Sequence, residues 1–441
     1  MCIRDRVNTL LKPTWIIPIV PEGVVLTKHV IAIADGKIAA IVPESEASQF
    51  EAKEVVELPG EIVMPGFVNL HSHAAMNLLR GVGPDLSLMD WLQKKVWPLE
   101  GRLMSPEFVY EGSRLAGEEM VQSGVTCTND HYFFPVDAAA GLRESGMKCA
   151  VSAFLIGFPS AWAKTDDEYL KKAGEVIEHF RGDPMVHVTV SPHAPYTVSD
   201  DAMKKLAALS ERNNLPIHIH VQETESEVSN SLKQYGMRPI ERLKKLGIVN
   251  ERLISVHSVH LSDSDIDTLA KAGSSVCHCP SSNLKLASGF APVAKIMDAG
   301  INLGIGTDGV ASNDKLDMLG ETRLAALLAK AVAKDPTAAP VHKMLYAATM
   351  GGAKALGWDR EIGSLEAGKS ADLFSCLLEE ITSIPVLEPA AQLLYSAGRE
   401  SITHVWINGQ LVVKKQQKAE SFRGMSRTKA LDIAHTWQNK C

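Results

Sequence analysis

The chain has no run of basic residues, and its formal net charge is −7. A nucleic-acid backbone is therefore not an expected partner. It also lacks a long hydrophobic run. The most apolar early stretch, residues 15–20, is short and broken by Pro18, which suits neither a spanning helix nor the apolar part of a signal peptide. A disulfide framework is missing as well. Seven cysteines, an odd number, are scattered at Cys2, Cys127, Cys149, Cys277, Cys279, Cys376 and Cys441. That usage suits a reducing compartment, so the cytoplasm is the expected location. Aromatic residues are only 6%, beside 45% hydrophobic and 22% charged residues over 441 positions. This is the composition of a globular protein large enough to bury a sizeable core. The opening residues 1–6 fit no strand or helix pattern.

What is present is an alternation. Strand-like runs are expected at 62–73, 124–133, 148–156, 186–192, 217–221, 253–257, 275–279 and 301–307. Helical runs lie between them at 106–123, 166–181, 200–213, 238–246, 263–272 and 293–299. Eight strand-plus-crossover units over about 250 residues predict a parallel (β/α)₈ TIM barrel, with its site at the C-terminal strand ends. An open doubly wound sheet is the alternative. Short β-rich runs at 24–26, 29–33 and 37–42 have counterparts at 371–376, 403–407 and 410–413. The two chain ends are therefore expected to build one small β-sandwich-like domain. The division expected is 1–61 and 366–441 for that domain and tail, and 62–365 for the barrel.

The chemistry collects where the strands end. His71 and His73 close the first, His193 the fourth, His218 and His220 the fifth, His257 the sixth and Asp308 the eighth. Spacing i, i+2 on a strand puts both imidazoles of a pair on one side. A single His-x-His is more often a strand cap bonded to backbone; it is the repetition that points to a metal. Three histidines and a carboxylate with room for water make a catalytic Zn²⁺ site, and the best quartet is His71, His73, His220 and Asp308. Fe²⁺ or Mn²⁺ could use the same ligands. His218 lies deeper and reads equally well as a packed barrel histidine. A binuclear centre would need a bridging lysine on the fourth strand, and none occurs between residues 187 and 196. One metal per subunit is expected.

Glu223, three residues past His220, can overhang the metal and shuttle a proton between water and a substrate nitrogen. Its plainer reading is a helix N-terminal acid, as Glu225 and Glu227 follow closely. His257 would orient the attacking water, or else be a core histidine. Two motifs are set aside. Gly304-Ile305-Gly306-Thr307-Asp308-Gly309 matches a dinucleotide fingerprint, but Asp308 would meet the pyrophosphate. Cys277-His278-Cys279 resembles a metal knuckle without a second cysteine pair.

The stretches Pro65-Gly66-Phe67-Val68-Asn69-Leu70-His71-Ser72-His73, Ser191-Pro192-His193-Ala194-Pro195-Tyr196, His220-Val221-Gln222-Glu223-Thr224, Pro280-Ser281-Ser282-Asn283-Leu284-Lys285-Leu286 and Gly306-Thr307-Asp308-Gly309 resemble the amidohydrolase superfamily. Within it they are most similar to 5′-methylthioadenosine/S-adenosylhomocysteine deaminases, with triazine hydrolases as cousins. The likeness runs from about residue 8 to residue 413. It implies Zn²⁺ on His71, His73, His220 and Asp308, with Glu223, His257 and Asp308 handling protons and water at C6 of an adenine ring. It implies that Glu100 holds the ribose hydroxyls, as a carboxylate can, and that His193 contacts the purine or sugar. By itself Glu100 reads as a surface glutamate. Homo-oligomers, dimers or tetramers, are usual in that family.

One departure bears on the substrate. Some relatives carry an arginine in the loop after the third strand, suited to a homocysteine carboxylate. Here residues 157–164 hold no arginine, and Phe158 and Trp162 suggest an apolar pocket. 5′-Methylthioadenosine is therefore expected over S-adenosylhomocysteine or adenosine. The alternatives are guanine, cytosine or triazine hydrolysis, or a metal-stabilised barrel that binds without turning over.

Overall fold

Eight parallel strands follow one another around the main sheet in the computed structural model, which describes residues 5–414 and 425–441. They are Phe67–Ser72, Val125–Asp130, Lys148–Leu155, Val186–Pro192, Ile217–Val221, Leu253–His257, Ser275–His278 and Asn302–Ile305. Every residue of the first three is buried, because side chains on one face fill the barrel and those on the other meet the helices. The expected barrel is present. Polar caps cut the intervening helices to length. Ser199 accepts the N–H of Ala202 ahead of helix Asp200–Asn213, and Asn214 ends it in a left-handed conformation. Ser262 and Asp265 form a capping box on helix Asp263–Ala272, which Gly273 ends in the same way.

Side chains close the ring between the first and eighth strands. Asn69 Nδ2 donates to Thr307 Oγ1 at 2.8 Å, and Thr307 N donates to Asn69 Oδ1 at 3.0 Å. One step on, Asp308 N donates to the His71 carbonyl at 3.0 Å. Gly306 makes this approach possible: a Cβ there would lie 2.8 Å from both His71 Cβ and Cys277 Sγ. The glycine that mimics a dinucleotide fingerprint is thus a packing requirement of the seam.

Both chain ends build a second sheet, as expected. Leu373–Leu377 pairs antiparallel with Phe50–Pro65, which pairs parallel with Asp5–Ile16. Two strand assignments need correction. Residues 5–16 form a long interior strand of the terminal sheet, and Asp5 and Arg6 lie within it. The run expected at 62–73 is two strands. Residues up to Pro65 belong to the terminal sheet, and the barrel strand starts at Phe67. The chain changes sheets at Gly66, where a Cβ would sit 2.1 Å from Thr126 Oγ1.

Between the first and second barrel strands, residues 88–103 wind as short helical turns over the barrel mouth, ending in helix Trp97–Leu103 with Pro98 in its first turn. The tail ends in helix Arg427–Gln438, as expected. There Trp437 packs edge-on to Phe108, ring centroids 5.1 Å apart. Residues 1–4 and the polar stretch 415–424 lie outside the described residues. Among the described residues, no helix is long and apolar enough to cross a membrane.

Candidate active site and metal centre

The strand ends bring His71, His73, His220, His257 and Asp308 together. His71 Nε2 and His73 Nε2 each lie 3.2 Å from Asp308 Oδ1. His71, His73 and His220 can offer ligand atoms within 4.8 Å of one another, as can His71, His257 and Asp308. The rings are held for this. His73 Nδ1 donates to the His131 carbonyl at 2.6 Å, and His220 Nδ1 donates to the His193 carbonyl at 2.6 Å. Each bond fixes a tautomer and leaves the Nε2 lone pair facing inward. His71 Nε2 is buried without a hydrogen-bond partner, an orphan that a metal ion would satisfy. Asp308 Oδ2 accepts from Ser282 Oγ at 2.6 Å and Ser312 Oγ at 2.9 Å, while Oδ1 accepts Gly309 N at 2.8 Å.

The electrostatics suit a cation. Burial opposes charge on Asp308, yet the imidazoles of His71 and His73 beside it hold its carboxyl well below the usual range. Burial pushes His71 down to about 4 and His220 well below the ordinary histidine value, so both stay neutral as ligands must be. The donor set fits a divalent metal. Asp308 and His257 also hold left-handed backbone, at φ 61° and 67°, a conformation costly for residues other than glycine and typical of functional sites.

Glu223 stands beside this cluster, its Oε2 3.7 Å from His257 Nε2. Its Oε1 accepts from Ser288 Oγ at 3.2 Å, and burial pushes its carboxyl upward. Glu223 lies one residue ahead of the helix cap. Thr224 caps helix Glu225–Tyr235, and it is Glu227 that takes the main-chain N–H groups of Gln222 and Glu223. His257 Nδ1 donates to Asn283 Oδ1 at 2.9 Å, turning Nε2 to the cavity.

The cavity above opens between these groups and the 88–103 segment. Glu100 faces it from helix Trp97–Leu103, and burial pushes its carboxyl up to about 7 despite the hydrogen bond from Tyr132. His193 also lines it, held at Nδ1 by Thr197 Oγ1 at 2.9 Å. The apolar wall comes from Leu88, Trp91, Leu92, Val96 and Trp97, facing Phe133 and Phe154. Among the described residues, no lysine or arginine lines the cavity.

The expectation for Trp162 needs correction. It is not among the lining residues; its ring packs on Phe134 at 5.1 Å, with Lys172 Nζ 4.6 Å above it. Phe158 stands behind Trp97 at 5.3 Å. The sequence reading missed His131, Tyr132 and the whole 88–97 wall. For His131 a signal existed, since it follows the second strand as the other histidines follow theirs. Cys277, His278 and Cys279 join none of the metal-capable groups found among the described residues.

Residues 62–412 match the amidohydrolase family. A 5-methylthioadenosine/S-adenosylhomocysteine deaminase of Teredinibacter turnerae is 38% identical over 441 residues, covering 100% of this chain and 99% of that protein. A protein of the same description from Saccharophagus degradans is 38% identical over 95% of this chain and 94% of its own. Among solved structures, an adenosine deaminase from Xanthomonas campestris with bound zinc superposes with a TM-score of 0.96 at 44% identity, covering 99% of each chain. A zinc complex of atrazine chlorohydrolase from Arthrobacter aurescens shares the fold, with a TM-score of 0.88 at 23% identity over 97% of this chain and 99% of that one. The chain belongs to the amidohydrolase family.

Proposed function

We propose that the protein is a metal-dependent hydrolytic deaminase of adenosine-type nucleosides, with 5′-methylthioadenosine the favoured substrate and an inosine-type product. The observation that carries this reading is the placing of Glu223 and His257, 3.7 Å apart, beside the histidine–aspartate cluster, with Glu100 in the same cavity. His71, His73, His220 and Asp308 would hold one Zn²⁺, or Fe²⁺ or Mn²⁺ in its place. Such an ion supplies Lewis acidity that brings the pKa of a water to near 7.

The side chains divide the proton work. Asp308, ionised and fixed by two serines, accepts a proton from the attacking water, which His257 orients through Nε2. Water adds at C6 while Glu223, whose burial favours its protonated form, gives a proton to ring N1. When the tetrahedral carbon collapses to the carbonyl, the hydroxyl proton returns to Glu223, Asp308 gives its proton to the amino group, and ammonia leaves. Glu100 accepts the ribose hydroxyls. A wall of Leu88, Trp91, Leu92 and Trp97 without a cation suits a methylthio group and leaves a homocysteine carboxylate unpaired.

The test is the ultraviolet spectrum of 5′-methylthioadenosine, adenosine and S-adenosylhomocysteine, each incubated with the zinc-loaded protein. Conversion from the adenine to the hypoxanthine spectrum is expected, with the largest kcat/KM for 5′-methylthioadenosine. A larger value for S-adenosylhomocysteine overturns the preference. An unchanged spectrum with zinc present overturns the reaction and moves the reading to guanine, cytosine or triazine substrates.

A further inference from the structure

Three buried imidazoles form a file behind the metal-capable cluster. His71 Nδ1 lies 3.0 Å from His218 Nε2, and His218 Nδ1 lies 3.2 Å from His131 Nδ1. His218 and His131 are 0% and 1% exposed. A neutral imidazole carries one proton, so a hydrogen-bonded file of them must run in one direction. The His71 end sets that direction. A nitrogen that ligates a metal offers its lone pair, so with Nε2 turned to the cluster the His71 proton is on Nδ1. His218 must then accept at Nε2 and donate from Nδ1. His131 must accept at Nδ1, and its own proton is left on Nε2.

That Nε2 is buried and has no partner in the protein, while His131 lines the cavity. With Nδ1 turned to His218, Nε2 is the polar atom the ring can offer to an occupant. An unpaired buried N–H is costly, and an acceptor on the ligand removes the cost. The His131 carbonyl meanwhile takes the Nδ1 proton of His73. One residue therefore supports two members of the metal-capable cluster, His73 through its main chain and His71 through His218.

We propose that His131 is a substrate-binding residue that donates its Nε2 proton to an acceptor atom of the bound heterocycle or sugar, and that His218 is a positioning residue which sets this donor through His71. This rests on the deaminase reading for the class of ligand but not for the direction of the file. Metal binding and substrate binding are thereby linked: holding the metal at His71 Nε2 fixes which nitrogen His131 presents.

Nitrogen chemical shifts of zinc-loaded protein labelled with ¹⁵N-histidine read the tautomers directly. Protonated Nδ1 on His218 and protonated Nε2 on His131 are expected; a protonated Nδ1 on His131 overturns the proposal. This measurement needs no turnover, so it stands even if the substrate class is wrong. With 5′-methylthioadenosine, His131→Phe is expected to raise KM about tenfold or more, more than it lowers kcat. His131→Gln, which restores an N–H donor, is expected to recover most of that loss. Normal KM in the phenylalanine variant overturns the substrate contact while leaving the deaminase reading intact. His218→Phe is expected to weaken zinc binding by about 10–100-fold. Unchanged zinc affinity together with an unchanged His131 tautomer overturns the relay.

Discussion

Tyr132 gives its phenol proton to Glu100 Oε1 at 2.6 Å, tying the end of the second barrel strand to helix Trp97–Leu103 over the site. The bond occupies one carboxyl oxygen and leaves the other to the cavity. Because burial raises Glu100 to about 7, its charge changes near neutrality. The sign follows from the chemistry: only the ionised form accepts two hydroxyl donors, and it is lost as pH falls through about 7. The KM for a ribonucleoside should therefore rise several-fold between about pH 8 and about pH 6. In Glu100→Gln it should be higher throughout and flat. A flat profile in the unaltered protein would remove Glu100 from the binding role.

Glu223→Gln keeps the size of the side chain and a partner for Ser288 Oγ, but it removes the transferable proton. Metal content measured by elemental analysis should be unchanged, and kcat should fall about 10²–10⁴-fold. Near-normal turnover in this variant would assign the proton transfer elsewhere.

Chelation should act on stability as well as on turnover. His71 and His73 come from the first strand and Asp308 from the end of the eighth, so an ion between them joins the two sides of the seam. An ion at about a thousand times its dissociation constant stabilises by roughly 4 kcal/mol. Calorimetry should show a lower melting temperature after chelation, restored by zinc. Amide exchange at Thr307 and Asp308 should quicken in the chelated protein. Identical melting curves would mean that these three residues and His220 do not hold a metal in the folded chain.

At the other end of the barrel, Lys148 Nζ lies 2.7 Å from Asp372 Oδ2 and also donates to Ser370 Oγ at 2.9 Å and Asn408 Oδ1 at 2.6 Å. Lys148 starts the third barrel strand, while its partners lie beside the terminal sheet, so a fully buried ion pair joins the two bodies. Lys148→Met strands Asp372 without a countercharge and should cost about 3–5 kcal/mol in denaturant unfolding. Adding Asp372→Asn should return much of that loss. A single variant as stable as the parent would show that the pair does not clamp the sheets.

The barrel is legible in the sequence because its signals are local. Apolar runs are cut by capping residues such as Ser199 and Ser262, and those cuts set where helix Asp200–Asn213 and helix Asp263–Ala272 begin. The metal-capable quartet is legible for a related reason, as histidines recur at strand ends. What escapes is decided by distant partners. Strand Asp5–Ile16 interrupts its apolar pattern at Lys12 and Pro13 and is ordered by pairing with Phe50–Pro65. The change of sheets at Gly66 lies inside an unbroken apolar run. Trp162 and Trp97 are both aromatic and near the mouth, and only packing turns the first onto Phe134 and the second into the cavity. The two tautomer-setting contacts of His131 depend on strands far apart in sequence and leave no mark in its neighbours.

The apolar wall has a consequence for how such a site can change. Leu88, Trp91, Leu92, Val96, Trp97 and Glu100 all come from one stretch that contributes no strand to the barrel. The groups proposed to react sit at strand ends, and of these Asp308 also joins the seam through its main-chain bond to His71. Apart from His131 and His193, which stand at strand ends, the residues proposed to select the substrate thus lie on a separate, exchangeable part. Grafting a different 88–103 segment onto this scaffold would recast which molecule is admitted while leaving the machinery that hydrolyses it untouched.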